Sequence, residues 1–325
     1  MINFQYLNAR AKALENGLLG KDRLYRLAES VSAEEGLKVL TEVNFGGGIA
    51  IDSPLDFEKL IDEEQTKLFE LINKIGGETA FGNFVLLSQD FHNAEAFMKA
   101  KHLKISADKM LVPEGKISKE KLSEAIMMDE YKSLPPRLAE ACITADGLFV
   151  SGKATGRIIN ATFMKCLYSA LHELSKKDKD LAEIYSAKAD CANIAIALRT
   201  RNYQTASESF VVGGKLTESE KKSLCEESFD SLKEKCKFFG NSQFVKVALS
   251  GVVGQPLTEF ESLAEGFALK YLKKQKYSVE GIRPFMLYVY YKLAELTNVR
   301  IAMVGLINGQ DEREIKNRMR ETYEG

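Results

Sequence analysis

Tryptophan is absent from this chain, proline is sparse at 6 of 325 residues, and histidine occurs three times. Against a usual proline content of ~5%, that scarcity leaves long stretches free to be helix. The histidines (His92, His102, His172) fall at no metal-ligand spacing, and the five cysteines (Cys142, Cys166, Cys191, Cys225, Cys236) form no CxxC pair. Reduced, buried thiols in a cytosolic protein are therefore expected, and no metal or redox cofactor. A surplus of either charge is also missing: 45 Lys and Arg face 46 Asp and Glu, for a net charge of −1. Phosphate-driven binding needs an excess of Lys and Arg, so no nucleic-acid partner is expected. No uncharged run approaches the ~18 residues of a membrane span. Val247 to Thr258 is among the longest, and Gly251, Gly254 and Pro256 interrupt it. The start, Met1 to Arg10, lacks a secretory signal pattern. These absences lead us to expect a soluble, cytosolic chain with no direct membrane span.

What is present points to helix. Apolar residues make up 45% and charged residues 28%, a globular composition with ample material for a core. Ser53-Pro54-Leu55-Asp56 combines a cap, a first-turn proline and a capping-box acid. Phe57, Leu60, Ile61, Leu68, Leu71, Ile72 and Ile75 then recur at spacings of three and four until Gly76-Gly77 ends the pattern. Phe84, Leu87, Phe91, Ala94 and Met98 repeat it, closing with Lys99, Lys101 and Lys104, where positive charge suits the helix C-terminus. Capping boxes are expected at Ser32…Glu35, Thr217…Glu220 and Thr258…Glu261. Only Phe149-Val150 and Phe210-Val211-Val212 look β-like. The fold class is all-α.

An internal repeat organises these helices. Asp90-Phe-His-Asn93 matches Asp190-Cys-Ala-Asn193, each followed by a basic pair, Lys99 and Lys101 or Arg199 and Arg201. Leu111-Val-Pro-Glu-Gly115-Lys116-Ile-Ser118 then matches Phe210-Val-Val-Gly-Gly214-Lys215-Leu-Thr217, after a shift of about a hundred residues. A fainter copy opens the chain, Asn8…Gly20-Lys21, and another closes it, Asn298…Gly309-Gln310. The pattern reads as a helix opening near an Asn, a glycine C-cap, then short helices and a long returning helix, used three times. It divides the chain into units at 1–107, 108–207 and 208–325, the last with a closing helix. Asn93, Lys99, Lys101, Gly115, Asn193, Arg199, Arg201, Gly214, Asn298 and Gly309 are the candidate structural or interface positions. The simplest role for each is structural punctuation or a solvated helix-end charge.

Catalytic motifs fare poorly. Gly147-Leu-Phe-Val-Ser-Gly152-Lys153-Ala154 nearly spells a phosphate-binding loop, but Ala154 stands where a magnesium-binding Ser or Thr belongs. The preceding Leu138–Ala145 reads as helix instead of the required buried strand. We expect a glycine-rich helix connection there, with Lys153 and Asn160 near a helix start. No nucleophile-elbow or kinase spacing occurs, and no catalytic residue is assigned.

The C-terminal segment carries a resemblance. Glu295, Asn298, Arg300, Gly309 and the charged run from Glu312 to Arg320, with Tyr6-Leu-Asn8-Ala9-Arg10 at the start, resemble the C subunit of bacterial and archaeal V/A-type ATPases, itself similar to the d subunit of the vacuolar enzyme. Asp90-Phe-His-Asn93 with Lys99-Ala100-Lys101, and Leu111-Val-Pro113-Glu-Gly115-Lys-Ile-Ser118, fit in order. Two departures stand out: Leu306 follows Gly305 where a basic residue is expected, and the segment from Phe149 to Asn160 matches no part of the pattern. The resemblance implies three helical units around a pseudo-threefold axis, forming a funnel. It also implies a non-catalytic socket between the rotor-ring proteolipids and the central stalk, held peripherally at the membrane in a complex that moves protons or sodium ions. Two other classes compete: an unrelated helical-repeat scaffold for a soluble protein, and a nucleotide-dependent enzyme using the near-phosphate loop.

Overall fold

The structure is a computed structural model, and it describes residues 4–251, 257–274 and 281–324. Gly254 and Pro256, which interrupt the longest uncharged run, lie outside the described residues. Among those described, every regular element is helical. In chain order these are α1 (Phe4–Glu15), α2 (Gly20–Ala28), α3 (Ala33–Glu42), α4 (Glu58–Leu71), α5 (Ala80–Leu103), α6 (Lys119–Met127), α7 (Pro136–Val150) and α8 (Gly156–Ser175). They continue with α9 (Lys179–Thr200), α10 (Tyr203–Ser207), α11 (Glu218–Glu226), α12 (Phe229–Lys235), α13 (Ser242–Ser250), α14 (Thr258–Lys273), α15 (Arg283–Ile307) and α16 (Glu312–Arg318). Two compact units result, one from Met1–Ile75 with Glu261–Gly325, the other from Gly76–Phe260.

In the first unit, α15 supplies Leu296, Val299, Ala302 and Met303 to a core that includes Leu24, Leu27, Leu40, Leu60 and Ile61. In the second, Phe91, Ala94 and Met98 of α5 pack with Leu122, Ile126, Leu138, Cys142, Ile159 and Phe163. Spacings of three and four along each helix put these side chains on one face, and their burial is the main favourable term. All five cysteines are buried and unpaired with one another.

Local chemistry sets the helix boundaries. Thr79 starts α5 by accepting the Gly82 N–H at 2.8 Å, and Asp178 starts α9 by accepting that of Leu181 at 2.9 Å. Thr217 and Glu220 form a full capping box. At α3, Ser32 accepts the Glu35 N–H, but the Glu35 carboxylate turns to the Val31 N–H at 2.8 Å instead of that of Ser32. The expected continuous helix from Ser53 to Gly76 is in three pieces: a 3-10 turn at Pro54–Asp56, α4, and a π-helical turn at Ile72–Gly76. Ser53 accepts the N–H of Leu55, two residues on, which tightens the opening turn.

Neither β-like run forms a strand. Phe149-Val150 closes α7. Phe210-Val211-Val212 is non-helical and finds its pairing on a side chain instead, as described below. We expect Leu27→Ala to lower unfolding stability by about 2–5 kcal/mol in chemical denaturation, because Leu27 is fully buried. Leu55→Ala, on an exposed side chain, should change it by under about 0.5 kcal/mol.

Candidate functional site

The candidate positions lie on or beside the long helices α5 and α9 of one unit and α15 of the other. Each carries a buried carboxylate and, three residues on, a buried asparagine: Asp90 and Asn93, Asp190 and Asn193, Glu295 and Asn298. The spacing places both on one helix face. Asn93 accepts the Val112 N–H at 2.9 Å and donates to the Val112 carbonyl at 3.2 Å. Asn193 treats Val211 the same way, at 2.9 and 3.0 Å, and Asn298 treats Arg320 the same way, at 2.6 and 3.0 Å. Each amide thus imitates one rung of a β-ladder, which is why the Val211 segment needs no strand partner.

The carboxylates hold the same passing segments. Asp90 accepts the N–H groups of Lys116 and Ile117, both at 3.1 Å. Asp190 accepts those of Lys215 at 2.7 Å and Leu216 at 3.0 Å, and also a bond from the Asn241 amide. Gly115 and Gly214 lie against these carboxylates so closely that a Cβ on either would overlap the Asp oxygen. In the third copy the work is divided: Glu295 accepts the Leu19 N–H at 2.5 Å, while Asn298 holds Arg320. We call each arrangement a clasp. Burial pushes the Asp90 carboxyl up to about 6 against the opposing pull of its two backbone N–H bonds, and burial also raises Asp190.

This corrects the role expected of the glycines. Gly115 and Gly214 do not cap helices. Lys104 and Arg201 terminate α5 and α9 in the left-handed conformation, with φ of 55° and 51°. Gly309 is a genuine cap: its N–H bonds the Leu306 carbonyl and that of Gln310 bonds Gly305, a Schellman closure of α15. The even glycine spacing therefore aligned two different devices. The asparagines, likewise, lie within their helices and not at the openings.

The basic positions divide by what they touch. Lys101 donates to the Ile126 carbonyl at the end of α6 at 3.0 Å, to Tyr131 at 3.0 Å, and to Asp129. Arg201 donates to the Leu224 and Glu227 carbonyls at the end of α11. Both satisfy carbonyls that a helix terminus leaves open, and both place a cation at its negative pole. Lys99 pairs with Glu95 at 2.5 Å, and Arg199 is exposed near the end of α9. In the near-phosphate loop, the N–H groups of Gly152 and Lys153 bond Phe149 and Leu148, closing α7. Thr155 then caps α8, with Asn160 in its second turn. A phosphate cradle needs such amides free, and these are committed to the α7 carbonyls.

Sequence reading missed a charge network in the first unit. Lys292, buried on α15, bonds Glu295 at 2.6 Å and Glu64 at 2.8 Å. Burial opposes its charge, but the two carboxylates raise the ammonium pKa. Burial likewise works against the Glu64 charge, and Lys292 holds that carboxyl below its usual range, whereas burial prevails at Glu295 and raises it. A cavity of about 250 Å³ beside the network is lined by Leu14, Leu18, Glu64, Lys67, Tyr288 and Lys292. Its charges are answered by one another, an arrangement suited to fixing α4 against α15. Among the described residues, no group of His, Cys, Asp and Glu is arranged to hold a metal ion. No described helix is long and apolar enough to cross a membrane.

Comparison with known proteins places this geometry. The model of the ATP synthase (C/AC39) subunit family matches residues 7–318. The chain belongs to that family. Among curated relatives, the C subunit of the A-type ATP synthase of Methanocaldococcus jannaschii is 29% identical over 131 residues, 37% of this chain and 33% of that protein. The C subunit of the V-type ATP synthase of Thermus thermophilus is 29% identical over 120 residues, 36% of this chain and 37% of the relative. The chain thus spans about a third of the length of these two relatives. The C subunit of the V-type sodium ATPase of Enterococcus hirae is 20% identical over 329 residues, 99% of this chain and all of the relative.

In this C/AC39 chain the clasps gather Asn93, Gly115, Asn193, Gly214 and Asn298 of the candidate positions, and they generate two predictions. Asn93→Ala leaves the Val112 N–H and C=O unpaired, so it should lower stability by about 1–3 kcal/mol, read by chemical denaturation. Asp90 should titrate near pH 6 in carboxyl NMR. Its folded pKa lies above the unfolded value, so protonation favours the folded state. The charge costs stability increasingly as pH rises from about 4 to about 6, by on the order of 3 kcal/mol. Relative to the neutral Asp90→Asn variant, the unaltered chain should lose stability across that window.

Proposed function

We propose that this chain is a non-catalytic central-stalk subunit of a rotary V/A-type ATPase. It acts as a socket between the membrane rotor ring and the stalk in a complex that transports protons or sodium ions. The observation that carries the reading is the family match across residues 7–318, supported by the alignment over nearly the whole of the Enterococcus hirae sodium ATPase relative. The chemistry of the buried side chains favours a mechanical part. The buried charges are spent on holding segments to helices, and the near-phosphate loop is a helix connection. Three clasps about a hundred residues apart support three related units, near 1–107, 108–207 and 208–325, set around a pseudo-threefold axis as a funnel.

A socket transmits torque only if it does not slip, so broad contact should matter more than one deep pocket. The chain would sit at the membrane periphery, held through the ring proteolipids on one side and the stalk subunits on the other. Arg199 and Lys99, near the ends of their helices, are candidate contact positions. The test is reconstitution with purified ring and stalk subunits beside protein-free liposomes. Binding to ring and stalk, with none to bare lipid, is expected. Binding to neither subunit, or equal binding to liposomes, would refute the socket.

A further inference from the structure

The three clasps are not built alike. In the Gly76–Phe260 unit, one continuous segment serves both the asparagine and the carboxylate: Val112 with Lys116 and Ile117, or Val211 with Lys215 and Leu216. Those segments are also anchored by apolar burial, with Leu111 and Ile117 against the core and Val211 and Leu216 buried. The third clasp, wholly within the other unit, is split between stretches far apart in sequence. Arg320 meets Asn298, Leu19 meets Glu295, and the Lys21 N–H donates to the Tyr323 carbonyl at 3.0 Å to join the two.

The segment carrying Arg320 forms no helix from Met319 to Glu324. Polar contacts hold it: Arg320 to Glu265 at 2.5 Å, Glu321 to Lys273 at 2.7 Å, and the Asn298 amide. Met319 packs on the core of the unit at the near end; beyond it the ring contact is Tyr323 edge-on to Tyr291, with centroids 5.3 Å apart. Segments held by polar contacts, with little apolar burial, lie at the low end of local stability and open before the cores around them.

We propose that Arg320–Glu324 is a releasable strap. In the native protein it lifts from α15 as one unit, unprotecting the amide of Lys21 as it goes, while the clasps at Asn93 and Asn193 stay shut. The first helices stay fastened to α15 through their shared core, and release of the strap frees the Asn298 amide.

Native-state hydrogen exchange on the full chain tests this, amide by amide. Lys21 and Arg320 should exchange together, at least about tenfold faster than Val112, Lys116, Val211 and Lys215. Tyr323→Ala, which removes one ring contact and leaves the backbone bonds in place, should speed the first group further and leave the second unchanged. Asn298→Ala should act in the same direction and more strongly. Equal protection of both groups in the unaltered chain would overturn the proposal. So would a Tyr323→Ala variant in which all these amides accelerate alike, or in which those of Lys21 and Arg320 do not change.

Discussion

A buried carboxylate and a buried asparagine, three residues apart on one helix, hold the backbone of a passing segment, and much else in the chain follows from that demand. A buried backbone N–H or C=O without a partner is costly, and a lone extended segment among helices has no ladder to supply one. Asn93, Asn193 and Asn298 provide the missing rung, and Asp90, Asp190 and Glu295 take the adjoining amides. The residue beside each Asp must then be glycine, because a side chain would occupy the space of the carboxylate oxygen. The basic residues at 101 and 201 complete the arrangement by closing the helices that follow.

Burying these carboxylates is expensive, and the structure divides the cost in two ways. At Asp90 and Asp190 the charge is met by backbone dipoles alone or with an amide, which leaves both carboxyls easier to protonate. Around Glu295 an ammonium, Lys292, is brought in and shared with Glu64. A buried ion pair gives little net stability but penalises loss of either partner. The network thereby fixes α4 against α15.

Much of this was legible beforehand. The all-α class followed from apolar spacing and scarce proline, and the recurrence of Asp90-x-x-Asn93 as Asp190-x-x-Asn193 marked the positions that form clasps. What each residue does was harder to read. Glycine serves equally at a helix end and at a close approach, so Gly309 fell into line with Gly115 and Gly214 although only Gly309 is a cap. The third clasp was obscured because its carboxylate is Glu and its two amides come from residues 19 and 320. Leu306 also stands where the copies place Lys101 and Arg201, eight residues past the asparagine. The pairing of Lys292 with Glu64 left no signal, since the two meet only after folding. The helix from Ser53 opens in a 3-10 turn and closes in a π-helical turn, which apolar spacing of three and four does not distinguish from α-helix.

The most direct measurement is a cryo-electron-microscopy structure of this chain within its assembled rotary ATPase. The account predicts that it lies on the rotor axis between proteolipid ring and central stalk, with the segments bearing Asn93, Asn193 and Asn298 related by successive thirds of a turn about that axis. A chain bound to the stationary periphery of the complex, or clasped segments unrelated by any such rotation, would contradict it.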